Sequence, residues 1–220
     1  MPPSNKTSLG RPKDLEKREA IFKAAKSFFL KHGFHKASMD EIAANAGVSK
    51  LTVYGHYECK EKLFQEVIAR KLNEYSGLDD FKKLYDLPLK KSLTLIGQNF
   101  LNLIFNPESL NIHRVVMSEA SRHPKMAALF FETGPQRLKK SFVEFLLYQK
   151  NKKCLFFNCT WTACDHFFSM FKGELHMRAL LGLKPSPSKK ELQNHLKQTI
   201  EMYLRAYQPQ VAIPHKELMR

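Results

Sequence analysis

The sequence predicts an all-α chain with a small N-terminal DNA-reading unit and a larger helical body, about nine helices in total. Apolar residues recur every three or four positions along most of its length, and no stretch alternates with period two between turn signals. Serine caps, glycines and prolines fall where one periodic stretch gives way to the next. With 220 residues and a hydrophobic share of 43%, the chain is long and apolar enough for one sizeable core or two small domains.

Residues 1–13 hold Lys6, Arg11 and Lys13, three prolines and no acid, which predicts a basic arm too polar to order itself. From Asp14 to about His32 a helix is expected, with Ile21, Ala24, Ala25, Phe28 and Phe29 as its apolar stripe and Gly33 at its end. Ser38 is placed to cap a second helix that closes at Gly47, and Ser49 to cap a third a short turn later. Two short helices joined through a glycine make a helix-turn-helix. Ile42, Ala43, Ala46, Val48 and Val53 are its crossing residues, which leaves Lys50, Leu51, Thr52, Tyr54, Gly55 and His56 on the outward side of the third helix. That side is short, polar and cationic enough to enter a DNA major groove.

A fourth helix is expected over Lys60 to Tyr75, buried through Leu63, Phe64, Val67, Ile68 and Leu72, with a domain boundary at Gly77–Asp80. Further helices follow from Pro88 to Pro107, from Glu108 to Arg122, to Thr133, and from Gln136 to Lys150 after a break at Gly134-Pro135. Between Cys159 and Leu181 the pattern is apolar on two faces, so it must be covered twice. The last helix opens on the capping box Ser188–Glu191. The resulting division is 1–13 arm, 14–76 reader, 77–208 helical body and 209–220 tail.

The net charge of +15 favours a polyanionic partner. Residues 1–78 carry 14 Lys+Arg against 9 Asp+Glu, a net of +5, so the remaining +10 lies in the rest of the chain and charge alone does not locate a DNA site. No run approaches the roughly 18 apolar residues of a membrane span, and the first residues lack an apolar signal segment. A cytoplasmic protein with reduced thiols is expected. Cys154, Cys159 and Cys164 recur every five residues, a step of about 140° around a helix, which argues against a shared metal site and leaves a redox role open. There is no Gly-rich phosphate loop, Gly-x-Ser-x-Gly elbow or His-Glu-x-x-His helix, so neither an enzyme nor a cofactor is expected.

Gly33-Phe34, Ser38-Met39-Asp40-Glu41-Ile42-Ala43, Gly47-Val48-Ser49-Lys50, Tyr54, His56-Tyr57 and Lys60-Glu61-Lys62-Leu63-Phe64, in that order, resemble the tetracycline-repressor (TetR) family of transcription regulators. The resemblance is strongest over residues 14–70, and Leu51, Gly55 and Cys59 depart from the usual pattern. It implies DNA binding through Lys50, Leu51, Thr52, Tyr54 and His56, to which the helix N-termini at Ser38 and Ser49 and the cation Lys60 at the start of the fourth helix add expected phosphate contacts. It also implies a homodimer on a palindromic duplex DNA operator, built on the last two helices through Phe167, Met170, Met177, Leu192, Leu196 and Tyr203. In the body, Asn99, Phe100, Ile104, His113, Met117, Trp161 and Phe168 are the expected lining of an apolar pocket for a small-molecule effector that releases the operator. The alternative is a body that only dimerises or answers to a protein partner.

Overall fold

The computed structural model describes residues 11–74, 81–183 and 187–209, which are helical apart from their connections and contain no strand. Its elements are α1 (Arg11–Lys36), α2 (Met39–Ala46), α3 (Lys50–His56), α4 (Lys60–Asn73), a short 3-10 turn (Lys82–Leu84), α5 (Leu89–Ile104), α6 (Pro107–Glu119), α7 (Pro124–Phe131), a π turn (Glu132–Gln136), α8 (Arg137–Asn151), α9 (Thr160–Leu181) and α10 (Lys189–Tyr207). Most limits fall within a few residues of those read from periodicity. Two differ in kind. Helix α1 begins at Arg11, inside the expected arm. Gly134-Pro135 does not open a loop, because a single wide helical turn absorbs the proline and runs on into α8. Lys6, the 77–80 boundary and the tail beyond Pro209 lie outside the described residues.

The chain forms two compact units. The first comprises the residues up to Arg70 together with Ile112–Thr133. Its core joins Ile21, Phe29, Ile42, Val53, Leu63 and Phe64 to Ile112 and Val116 of α6 and Met126 of α7. The two units divide inside α4 and α6, and each of these helices belongs partly to both units. Helical spacing identifies an apolar face but not the core it joins, so the sequence could not place Ile112 and Val116 with the N-terminal helices.

Local chemistry explains the reader helices. The Ser38 hydroxyl accepts from the Glu41 N–H at 3.1 Å while the Glu41 carboxylate accepts from the Ser38 N–H at 3.2 Å, a reciprocal cap. Gly47 closes α2 in the left-handed region, at φ 65, where a side chain would be strained. The Ser49 hydroxyl accepts from the Thr52 N–H and starts α3.

The second unit comprises Lys71–Asn111 and the residues from Gly134 onward, with α5, α9 and α10 packed together and α8 laid on α9. Its core is aromatic: Phe81, Phe100, Phe142, Phe145, Phe167, Phe168 and Phe171 are buried and meet mainly edge to face. At Gly97 a Cβ would lie 2.5 Å from the tip of Phe171 and 2.8 Å from that of Leu196, so these side chains of α9 and α10 fill the space a side chain on α5 would need. The nearly buried Lys71 ammonium is held by Glu74, at 2.7 Å, and by Glu108, which keeps its charge paired.

Candidate nucleic-acid interface

Helix α3 turns Val53 and the following Tyr57 inward and leaves Lys50, Leu51, Tyr54 and Gly55 exposed, with Thr52 and His56 half-buried. Leu51 is 82% exposed, the most of any large apolar side chain among the described residues. Its neighbours are engaged. The Lys50 ammonium sits 2.8 and 3.0 Å from the two oxygens of Asp40, whose hydrogen bond raises its pKa. The Thr52 hydroxyl is 2.8 Å from that of Ser49, and His56 Nε2 is 3.2 Å from Asp14 on α1.

Two of the residues expected at DNA, Lys60 and His56, also tie helices of the first unit together. Lys60 donates to the carbonyl oxygens of His35 and Ala37, at 3.3 and 3.0 Å, with its ammonium 4.4 Å from the centre of the Phe34 ring. Burial lowers its pKa, and it pins the α1–α2 connection. His56 Nε2 faces the Asp14 carboxylate, a contact that joins the start of α1 to the end of α3. Ser38 and Ser49 act first as helix caps; Lys50, Leu51 and Tyr54 stand on the open face.

Pairings absent from the sequence reading hold that face in place. The Glu66 carboxylate of α4 accepts from Arg18 of α1 at 2.7 Å and from Arg70, which also reaches Glu19. Burial alone would raise the Glu66 pKa, but the two guanidiniums reverse this and keep it below the ordinary value. Glu119 at the end of α6 accepts from the His35 N–H at 3.3 Å, and the His35 and His123 rings stack at 4.4 Å. Only the Glu66–Arg70 pair, four residues apart on one helix, had a signal in the sequence.

The expected effector residues are divided between the two units. Phe100, Ile104 and Phe168 are buried in the core of the second unit, with Phe168 packed edge to face on Phe100 at 4.7 Å, and Asn99 is half-buried in the same unit. His113 belongs to the first unit, with its ring 5.1 Å from Phe130, and Met117 of that unit is 59% exposed. Trp161 is 43% exposed on α9, so it does not line an enclosed pocket with the phenylalanines.

The expected dimer residues divide too. Phe167, Leu196 and Tyr203 are buried in their own chain and cannot face a partner; Met170 and Leu192 pack at the edge of that core, and Met177 is open. Trp161, Leu181 and Met202 are the other exposed apolar side chains on α9 and α10. Helix α9 is doubly covered at its centre by its own chain, which is why its second stripe resembled an interface.

Beside the start of α9 an open groove of about 550 Å³ runs between Phe156, Phe157, Asn158, Cys159, Thr162 and Tyr207. Thr162, through its hydroxyl and backbone N–H, lowers the pKa of the exposed Cys159 thiol, whereas burial pushes Cys164 up to about 12. Among the described residues no group of three or more His, Cys, Asp or Glu is arranged to hold a metal, and no helix is long and apolar enough to cross a membrane.

A short, capped helix presented outward from a three-helix unit fits a DNA major groove. Residues 21–67 match the N-terminal model for bacterial regulatory proteins of the tetR family, and residues 91–209 match the C-terminal domain of the AefR-like transcriptional repressors. The chain belongs to the TetR family of transcriptional regulators. Like the family's other members it is not an enzyme, and its first unit contains the DNA-binding domain. It is 44% identical over 55 residues to the HTH-type transcriptional repressor BepR of Brucella suis, covering 25% of this chain and 26% of BepR. It is 43% identical over 68 residues to the transcriptional activator FasR of Mycolicibacterium smegmatis, covering 30% and 31%. The chain thus spans less than a third of the length of these two relatives. Among solved TetR structures, the flavonoid-responsive regulator FrrA is 29% identical, with a TM-score of 0.75 over 88% of this chain and 98% of that one.

Proposed function

We propose that this TetR-family chain binds a palindromic operator as a homodimer and represses the adjacent gene until a small apolar ligand in its second unit weakens the grip. The open face of α3 carries the reading, because it is the part of the helix-turn-helix that the chain's own core does not cover. The likeness of residues 91–209 to repressors supports the sign, and the likeness to a flavonoid-responsive regulator supports a small aromatic effector. Helices α4 and α6 each belong partly to both units, so a ligand that favours one position of either helix also biases the reader. Releasing most of the operator takes roughly a 100-fold preference for the non-binding form, near 3 kcal/mol.

A second reading, regulation by a protein partner with the second unit as a dimerising body, is favoured by the filled aromatic core and the packing of Phe171 and Leu196 on Gly97. Selection from random duplexes followed by a ligand panel separates the two. The first reading predicts an inverted repeat with half-sites ~34 Å or a small multiple apart, bound by two chains. It also predicts that at least one flavonoid-like or other apolar compound lowers operator affinity about 100-fold. Tight operator binding that no compound changes supports the second reading.

A further inference from the structure

The Lys50, Thr52 and His56 side chains of α3 have partners within the chain, whereas Leu51, its exposed aliphatic side chain, packs on nothing among the described residues. Lys50 lies between both oxygens of Asp40, the Thr52 hydroxyl meets Ser49, and His56 meets Asp14. Leu51 projects into water from the same short helix, with Tyr54, also exposed, three residues on and hence on the same side. Covering so exposed a leucine with an apolar surface is favourable. A leucine side chain can neither donate nor accept a hydrogen bond, so it cannot read the polar edge of guanine, adenine or cytosine. The one apolar group on the floor of a major groove is the thymine C5-methyl.

We propose that Leu51 reads a thymine methyl in each operator half-site, so that sequence preference at that step comes from apolar contact and not from hydrogen bonding. This rests on the reading that α3 enters the major groove, and it adds the chemistry of the base read there. Thr52 and Ser49 keep the helix start rigid through their shared hydrogen bonds, which fixes where the Leu51 side chain points. Lys50 supplies charge without base identity once phosphate displaces Asp40.

Deoxyuridine tests this directly, since it lacks only the methyl of thymidine and keeps its hydrogen-bonding pattern. With the full chain and an operator recovered from random duplexes, each symmetric pair of thymidines is replaced in turn. Losing one buried methyl is worth about 0.8 kcal/mol, about fourfold, and so about 15-fold for the two half-sites together. One pair is expected to show this loss with the wild type and with Tyr54→Ala, and none with Leu51→Ala, which an exposed position allows to fold normally. If every deoxyuridine operator binds as well as the parent, or if the loss persists in Leu51→Ala, the proposal is wrong while operator binding stands. A selection that returns no preferred sequence overturns the operator reading, and this proposal with it.

Discussion

Gly33→Ala should damage the reader through two separable effects. Gly33 sits at φ 82 and ψ 170, a conformation essentially closed to residues with a side chain. An added Cβ would also lie 2.1 Å from Glu119 Oε1, so the carboxylate must leave and release the His35 N–H. The backbone strain costs about 1–3 kcal/mol and the lost hydrogen bond with its repacking about 1 kcal/mol more, or roughly 2–4 kcal/mol in all. Chemical denaturation of Gly33→Ala, Glu119→Ala and the double variant apportions the two. With Glu119 shortened to alanine the clash is gone, so Gly33→Ala should then cost only the strain, about 1 kcal/mol less than in the parent background. An identical cost in both backgrounds would show that Glu119 does not occupy this position.

Lys60→Met should destabilise the first unit by about 1–3 kcal/mol, because two carbonyl oxygens lose their donor and the contact with Phe34 goes; denaturation of the variant measures it. If Lys60 were instead a plain phosphate contact, the variant would keep its stability and lose only DNA affinity. Alkylation followed by mass spectrometry should label Cys159 well before Cys164, since one thiol is exposed with a lowered pKa and the other buried and raised. The raised Cys164 makes stability fall with alkalinity. The folded state keeps its proton to about 12, whereas the unfolded thiol loses it near 9, so stability present below pH 9 is lost as pH rises toward 12. Cys164→Ala should flatten that decline in pH-dependent denaturation. Trp161, 43% exposed in one chain, should be open to acrylamide quenching at dilutions that favour monomer and protected on dimerisation; quenching independent of concentration would remove it from the interface.

The helices and their caps were legible because they follow from spacing within a dozen residues. The Ser38, Ser49 and Ser188 caps, the Gly47 turn and the apolar stripes of α1, α4, α5 and α8 are local facts. What the sequence could not show are choices of partner. Lys50, His56 and Lys60 all read as phosphate contacts, yet Asp40, Asp14 and two backbone carbonyls also engage them across turns and between helices. Phe167, Leu196 and Tyr203 have the spacing of an interface and the burial of a core, because α5 and α9 to α10 pack within one chain. Ile112 and Val116 join the reader's core for a reason no periodicity carries: the chain returns to it after the second unit has begun.

The central claim is that sequence preference resides in the open face of α3. The most direct measurement is the ratio of affinities for the selected operator and a scrambled duplex, at one salt concentration, for the wild type and for Leu51→Ala/Tyr54→Ala. The wild type should show a ratio of about 10³ or more, as sequence-specific DNA-binding proteins do. The double variant, folded as judged by circular dichroism and still held to both duplexes by phosphate contacts, should fall to within about tenfold of unity. A ratio unchanged by removing both side chains would place the reading elsewhere in the chain and contradict the account.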